Sequence, residues 1–189
     1  MFYILIRYFF CVVLALLRRW EVHGLANLPV QGGLVIVSNH TSYWDPIVVG
    51  CAMNRRVNYM AKEELFHIPV FRNIITAMAA FPIKRNQSDR AAIRKALQFL
   101  NEGQIVGVFP EGTRNATGEL LAPQLGAAML ALKAGVPILP VGLIGTRGII
   151  RKIRVNIGEP VVYQTSNKYT REDLEKVSET VMEKVNCLL

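Results

Sequence analysis

Six apolar runs of strand length recur along the chain, at residues 34–38, 57–61, 79–84, 104–109, 138–144 and 153–157. Most are continuously apolar instead of alternating, which is the pattern of strands covered on both faces. Segments of helical length separate them, at 46–53, 70–78, 88–101, 124–134 and 170–187. Alternation of this kind predicts an α/β fold with a mixed, mostly parallel central sheet flanked by helices. The clearest helix is 88–101, where Ala92, Ile93, Ala96, Leu97 and Leu100 share a face. Ser88 is placed to cap its start and Gly103 lies just past its end. Thr170-Arg171-Glu172-Asp173 reads as a capping box opening the last helix. In such a sheet, function belongs at the carboxyl ends of the strands.

The N-terminus is different in kind. Residues 2–17 are almost wholly apolar, interrupted by Arg7 and closed by Arg18-Arg19-Trp20. As a helix this stretch reaches roughly 24 Å, short of the roughly 30 Å hydrocarbon core of a bilayer. No small-residue cleavage pattern follows it, which argues against a secretory signal. The expectation is a membrane-associated helix over 1–19, half-sunk in one leaflet, with its arginines snorkelling and Trp20 at headgroup level. A tilted single span is the alternative. The remainder, 20–189, shows no repeat and no shift in composition, and reads as one α/β domain. Arg18 and Arg19 favour a cytoplasmic position for it, at the face of the cell membrane.

With 22 basic against 14 acidic residues, the formal charge is +8. No zinc-finger spacing, aromatic RNA-binding strand or long basic helix is present, so nucleic acid is a poor fit. An apolar leader beside a basic body suits an anionic membrane surface. Cys11, Cys51 and Cys187 are scattered and form no paired motif, which disfavours a disulfide scaffold or a zinc site.

Two segments carry chemistry. In Asn39-His40-Thr41-Ser42-Tyr43-Trp44-Asp45, a histidine and a carboxylate stand five residues apart across a strand-to-helix turn. Asp45 precedes Pro46, so it suits a helix N-cap; it equally suits an orienting partner that leaves the second imidazole nitrogen free to take a proton. No G-x-S-x-G elbow or neighbouring cysteine supplies a nucleophile, so the simplest proton donor is a bound substrate hydroxyl attacking an activated acyl group. No further ligand cluster supports a metal at His40 and Asp45. The second segment is Phe109-Pro110-Glu111-Gly112-Thr113-Arg114. There Glu111 suits a substrate hydroxyl or a pairing with Arg114, Gly112 allows close backbone approach, and Thr113 and Arg114 suit phosphate oxygens. Arg85, ending Phe81-Pro82-Ile83-Lys84-Arg85, brings a planar fork suited to the same phosphate. The set points to acyl transfer onto a phosphorylated alcohol.

These segments, with Lys62-Glu63-Glu64-Leu65 between them and Val136-Pro137-Ile138-Leu139-Pro140-Val141 after them, resemble the PlsC-like glycerolipid acyltransferase family. The resemblance runs from about Trp20 to Pro160. It implies transfer of a fatty acyl chain from acyl-CoA or acyl-carrier protein to the sn-2 hydroxyl of lysophosphatidic acid, giving phosphatidic acid in phospholipid biosynthesis. It further implies that His40 is the base and Asp45 its partner, that Arg85 and Glu111–Arg114 hold the glycerol phosphate, and that no cofactor beyond the acyl donor takes part. Gln124 departs from the family pattern, standing where relatives often carry a lysine. Glycerol-3-phosphate or another lysolipid as acceptor, a non-catalytic lipid-binding membrane protein and a serine hydrolase stay open. Acyl-chain length depends on the depth of an apolar tunnel, whose candidate walls include the N-terminal helix and residues 48–53.

Overall fold

A computed structural model describes residues 2–84, 89–115, 120–148, 151–163 and 169–189. The elements in chain order are α1 (Phe2–Arg18), β1 (Glu21–His23), β2 (Leu34–Ser38), α2 (Asp45–Ala52), β3 (Val57–Lys62) and α3 (Pro69–Ala77). Next come β4 (Ala80–Ile83), α4 (Arg90–Asn101), β5 (Ile105–Val108), α5 (Gly126–Ala134), β6 (Ile138–Ile144), β7 (Arg154–Ile157) and α6 (Arg171–Asn186). The seven strands form one sheet in the order β1-β7-β6-β2-β5-β3-β4. Every pairing is parallel except β6 with β7, so the sheet is mixed and mostly parallel, as the apolar runs predict.

The continuous apolar runs have a direct cause in this arrangement. In β2, Leu34 and Ile36 face a core shared with α1 and α2, whereas Val35 and Val37 face a second core built with α4, α5 and α6. All four are buried, so neither face of the strand tolerates a polar alternation. The connections from β2 to β3 and from β3 to β4 step the same way along the sheet. Right-handed crossovers therefore put α2 and α3 on one face, and α1 touches both.

Helix ends follow local rules with some shifts. The capping box at Thr170 forms, with Thr170 Oγ1 accepting from Asp173 N at 3.1 Å and Asp173 Oδ2 accepting from Thr170 N at 2.8 Å. α4 starts two residues later than the apolar pattern predicts, because Asp89 is the cap and accepts from Ala91 N and Ala92 N. Ser88, the expected cap, lies outside the described residues. β1 escapes prediction altogether: Glu-Val-His has no apolar run and exists as a strand through its pairing with β7.

α1 departs most from expectation. Arg7 does not reach for headgroups. Its guanidinium donates to the carbonyls of Gly50, Cys51 and Met53 at 3.1, 2.9 and 2.8 Å, closing the carbonyl-rich end of α2. Arg18 does not snorkel either: it is 2 % exposed and donates to Arg151 O and Gly145 O at 3.0 and 2.8 Å. Two loop carbonyls that no strand satisfies draw it inward. Trp20 likewise packs against the core instead of standing clear of it. The outer side of α1 stays bare, with Ile4, Leu5, Tyr8, Phe9, Leu16 and Leu17 exposed. Among the described residues, no helix is long and apolar enough to cross a membrane.

Arg7 is thus a structural bolt. Arg7→Met keeps the aliphatic stem but orphans three carbonyls, and is expected to lower unfolding free energy by about 2–3 kcal/mol in urea titrations.

Candidate active site

The turn after β2 is built from side chains that stand in for backbone. Asn39, 3 % exposed, continues the β2–β6 ladder through its amide, donating to Leu143 O at 2.9 Å and accepting from Leu143 N at 2.8 Å. That exchange ends strand pairing without leaving buried polar groups unpaired, and turns the next residue, His40, up at the sheet's carboxyl edge. In the sequence Asn39 shows only as a polar residue directly after an all-buried strand, and its role depends on a β6 partner 104 residues away.

His40 Nδ1 meets Asp45 Oδ2 at 2.9 Å. The same oxygen accepts from Thr41 N at 2.6 Å and Ser42 N at 2.7 Å, and the Asp45 side chain is fully buried. Asp45 is the first residue of α2 and not its cap; the preceding Trp44 occupies that position and makes no side-chain capping bond. The plain capping reading therefore fails, since the carboxylate turns back over the 40–42 turn to hold the imidazole. An ionised Asp45 fixes the proton on Nδ1 and leaves Nε2 as the basic nitrogen.

The imidazole is also held by its face. Phe109 stacks on it with ring centroids 4.2 Å apart and planes inclined by 22°. Behind Phe109 lies Tyr59, nearly parallel at 11° and 6.2 Å. Gly107 makes room for this column: a Cβ there would fall 2.4 Å from the Tyr59 ring. Burial pushes the Tyr59 phenol well above its usual range, so the column under His40 stays neutral. An aromatic face beside an imidazole favours the imidazolium that forms when it takes a proton.

The Phe109–Arg114 segment clasps His40 through the histidine's own peptide groups. Glu111, 6 % exposed, accepts from His40 N at 2.7 Å and from Leu121 N at 3.2 Å. On the other side, Asn115 N donates to His40 O at 2.8 Å. Glu111 is thus engaged with backbone, and not with Arg114 or aimed at a substrate hydroxyl as the sequence suggests. Its reach was not legible because it depends on β2 and β5 being neighbours. A third loop joins where Thr41 Oγ1 meets Thr146 Oγ1 at 3.0 Å. Gly112 adopts φ 69°, and a Cβ on it would strike the Gln124 amide at 2.3 Å. Thr113 and Arg114 are exposed at the rim, the Arg114 guanidinium 3.4 Å from the centroid of the Tyr43 ring. Arg85 lies outside the described residues. Among the described residues, no three His, Cys, Asp or Glu side chains gather as metal ligands would.

His40 opens onto a cavity of about 450 Å³. Its apolar wall includes Met60, Ile83, Ile93, Val108, Met129 and Leu130, and Lys84, Asp89 and Gln124 add polar groups. This space lies on the α4–α5 side of the sheet. The wall expected along α1 and residues 48–53 encloses almost nothing, because that layer is packed shut and leaves about 10 Å³ beside Tyr3, Arg7 and Gly50.

Residues 19–144 match the family model described as Acyltransferase. The 1-acyl-sn-glycerol-3-phosphate acyltransferase of Bacillus subtilis (strain 168) is 32 % identical over 156 residues, spanning 79 % of this chain and 77 % of that protein. A Homo sapiens relative, 1-acyl-sn-glycerol-3-phosphate acyltransferase beta, is 36 % identical over 126 residues, 65 % of this chain and 45 % of its own. The crystal structure of the 1-acyl-sn-glycerophosphate acyltransferase PlsC from Thermotoga maritima superposes with a TM-score of 0.78 at 29 % identity. That match covers 98 % of this chain and 79 % of the other.

If Glu111 positions His40, Glu111→Ala lowers kcat of acyl transfer by about 10²-fold and leaves KM for the acceptor within about threefold. A rise in KM at unchanged kcat would return Glu111 to substrate binding.

Proposed function

The chain belongs to the acyltransferase family, and we propose that within it this protein acylates the sn-2 hydroxyl of 1-acyl-glycerol-3-phosphate, giving phosphatidic acid. The observation that carries this reading is the 2.9 Å His40–Asp45 contact at the mouth of an apolar cavity. The names of the relatives support lysophosphatidic acid as the acceptor.

The chemistry follows from the geometry. The acceptor hydroxyl lies against His40 Nε2, which takes its proton as the oxygen attacks the carbonyl carbon of an acyl thioester. Asp45 and the face of Phe109 stabilise the imidazolium. The tetrahedral intermediate collapses, the carbon–sulfur bond breaks, and His40 passes the hydroxyl's proton to the departing thiolate. Gly112, Thr113 and Arg114, with Arg85, hold the glycerol phosphate at the rim, where Arg114 stands over Tyr43. The acyl chain of the donor or product lies in the cavity between α4 and α5. Acyl-CoA and acyl-carrier protein both present a thioester on a phosphopantetheine arm, and either fits the reaction. The bare outer side of α1 rests on the cytoplasmic leaflet of the cell membrane, as a monotopic anchor.

His40→Ala is expected to cut turnover by roughly 10²–10⁴-fold while the chain still folds, with the thermal midpoint lowered by several degrees because Asp45 loses one of its three partners. Wild-type turnover in that variant would remove the base, and a strong preference for phosphate-free acceptors would remove the substrate assignment. Met129→Trp fills the cavity, so turnover with long-chain donors falls about tenfold relative to short-chain donors, read in a competition assay across chain lengths.

A further inference from the structure

The layer made by α1, α2 and α3 has a charge pattern unlike the rest of the molecule. α1 and α3 contain no acidic residue, and the only one in α2, Asp45, is fully buried. In the opposite layer, α6 alone carries Glu172, Asp173, Glu175, Glu179 and Glu183. Glu63 and Glu64, in the turn leading to α3, are matched by Lys84 at 4.0 Å and Lys62 at 3.0 Å. Arg19 and Arg72 stand exposed in the same layer.

α3 is apolar over a wider arc than the body covers. Ile75 and Ala77 are half-buried, but Val70 is 73 % and Ile74 40 % exposed, with Ile68 at 53 % just before the helix. At 100° per residue, Val70 and Ile74 lie roughly 40° apart on the wheel, and Arg72 sits roughly 160° from each. That is the division of an interfacial helix, apolar flank on one side and cation on the other. α3 touches α1, whose bare stripe lies in the same layer. A monomer in water seldom leaves an apolar surface of this extent uncovered. Because α3 follows β3, its first turn stands at the same edge of the sheet as His40.

We propose that α3 is a second membrane-docking element. Ile68, Val70 and Ile74 enter the headgroup–acyl boundary of an anionic leaflet beside α1, and Arg72 meets lipid phosphates. No exposed carboxylate stands on α1, α2 or α3, and the two in the turn before α3 are paired with lysines, as such a leaflet requires, since like charge would repel it. A second copy of the chain in a symmetric contact would instead bring two patches carrying Arg19 and Arg72 against each other, cation to cation. The proposal rests on the acyltransferase reading above only in taking the acceptor to be a lipid delivered from a bilayer.

The test uses the full chain in a Cys11→Ala, Cys187→Ser background, with an environment-sensitive fluorophore on Val70→Cys, Phe9→Cys or Arg72→Cys. On vesicles of phosphatidylcholine with phosphatidylglycerol, the labels at 70 and 9 shift to the blue and are quenched by chain-brominated lipid, and the label at 72 is not quenched. Val70→Asp with Ile74→Asp lowers partitioning onto these vesicles about tenfold. Turnover of a short-chain, water-soluble lysophosphatidic acid stays within about twofold. A label at 70 that keeps its aqueous emission while the label at 9 shifts leaves α1 docking alone and overturns the proposal. So does a dimer in sedimentation that Val70→Asp dissolves. Failure of the wild type to acylate the soluble acceptor removes the acyltransferase reading, whatever the vesicles show.

Discussion

A single oxygen atom, Asp45 Oδ2, gathers the donors around which the site is built. It receives two backbone N–H groups and the imidazole within 2.9 Å, at a carboxylate with no solvent exposure. A buried carboxylate is tolerable only when it is well partnered: Oδ2 takes all three donors while Oδ1 has none, and each charge-assisted bond contributes roughly 1.5–3 kcal/mol. Its position in the first turn of α2 adds the favourable end of the helix dipole. The same bonds that make the charge tolerable shape the 40–42 turn. Orientation of the imidazole and stability of the turn are therefore one interaction, and neither is adjustable without the other.

Around that anchor the histidine is fixed from every direction that does not face substrate. Its peptide N–H is bound by Glu111 and its carbonyl by Asn115. Its Nδ1 is bound by Asp45 and its ring face by Phe109, leaving Nε2. Segments 71 residues apart in sequence meet because β2 and β5 are hydrogen-bonded neighbours ending at the same level. Pre-set orientation of this kind is where an enzyme gains most before any bond is made.

Much of this was legible in the sequence, and the exceptions share a cause. Buried strands announce themselves because both faces must be apolar, and Thr170 announces its helix because capping is local. His40 and Asp45 sit within one turn, so their partnership could be read from spacing. Glu111, Phe109, Arg7 and Arg18 act across 43 to 133 residues of chain, and a side chain's type does not reveal which distant carbonyl or N–H will need it. Nor could the sequence place the cavity beside His40, for a related reason. Apolar composition marks α1 and α4–α5 alike, and only packing decides which layer closes and which stays hollow.

The order β6-β2-β5-β3 has one more consequence. From β2 the chain leaves through α2 on one side of the sheet, and from its neighbour β5 it leaves through α5 on the other. Loops that diverge from adjacent strands must open a crevice between them, with no inserted segment needed to carve it. His40 and the Phe109–Arg114 turn clasped to it stand together at the mouth of that crevice. The cleft is thus a by-product of the order in which strands were laid down, and substitutions that preserve that order can remodel its rim without erasing it.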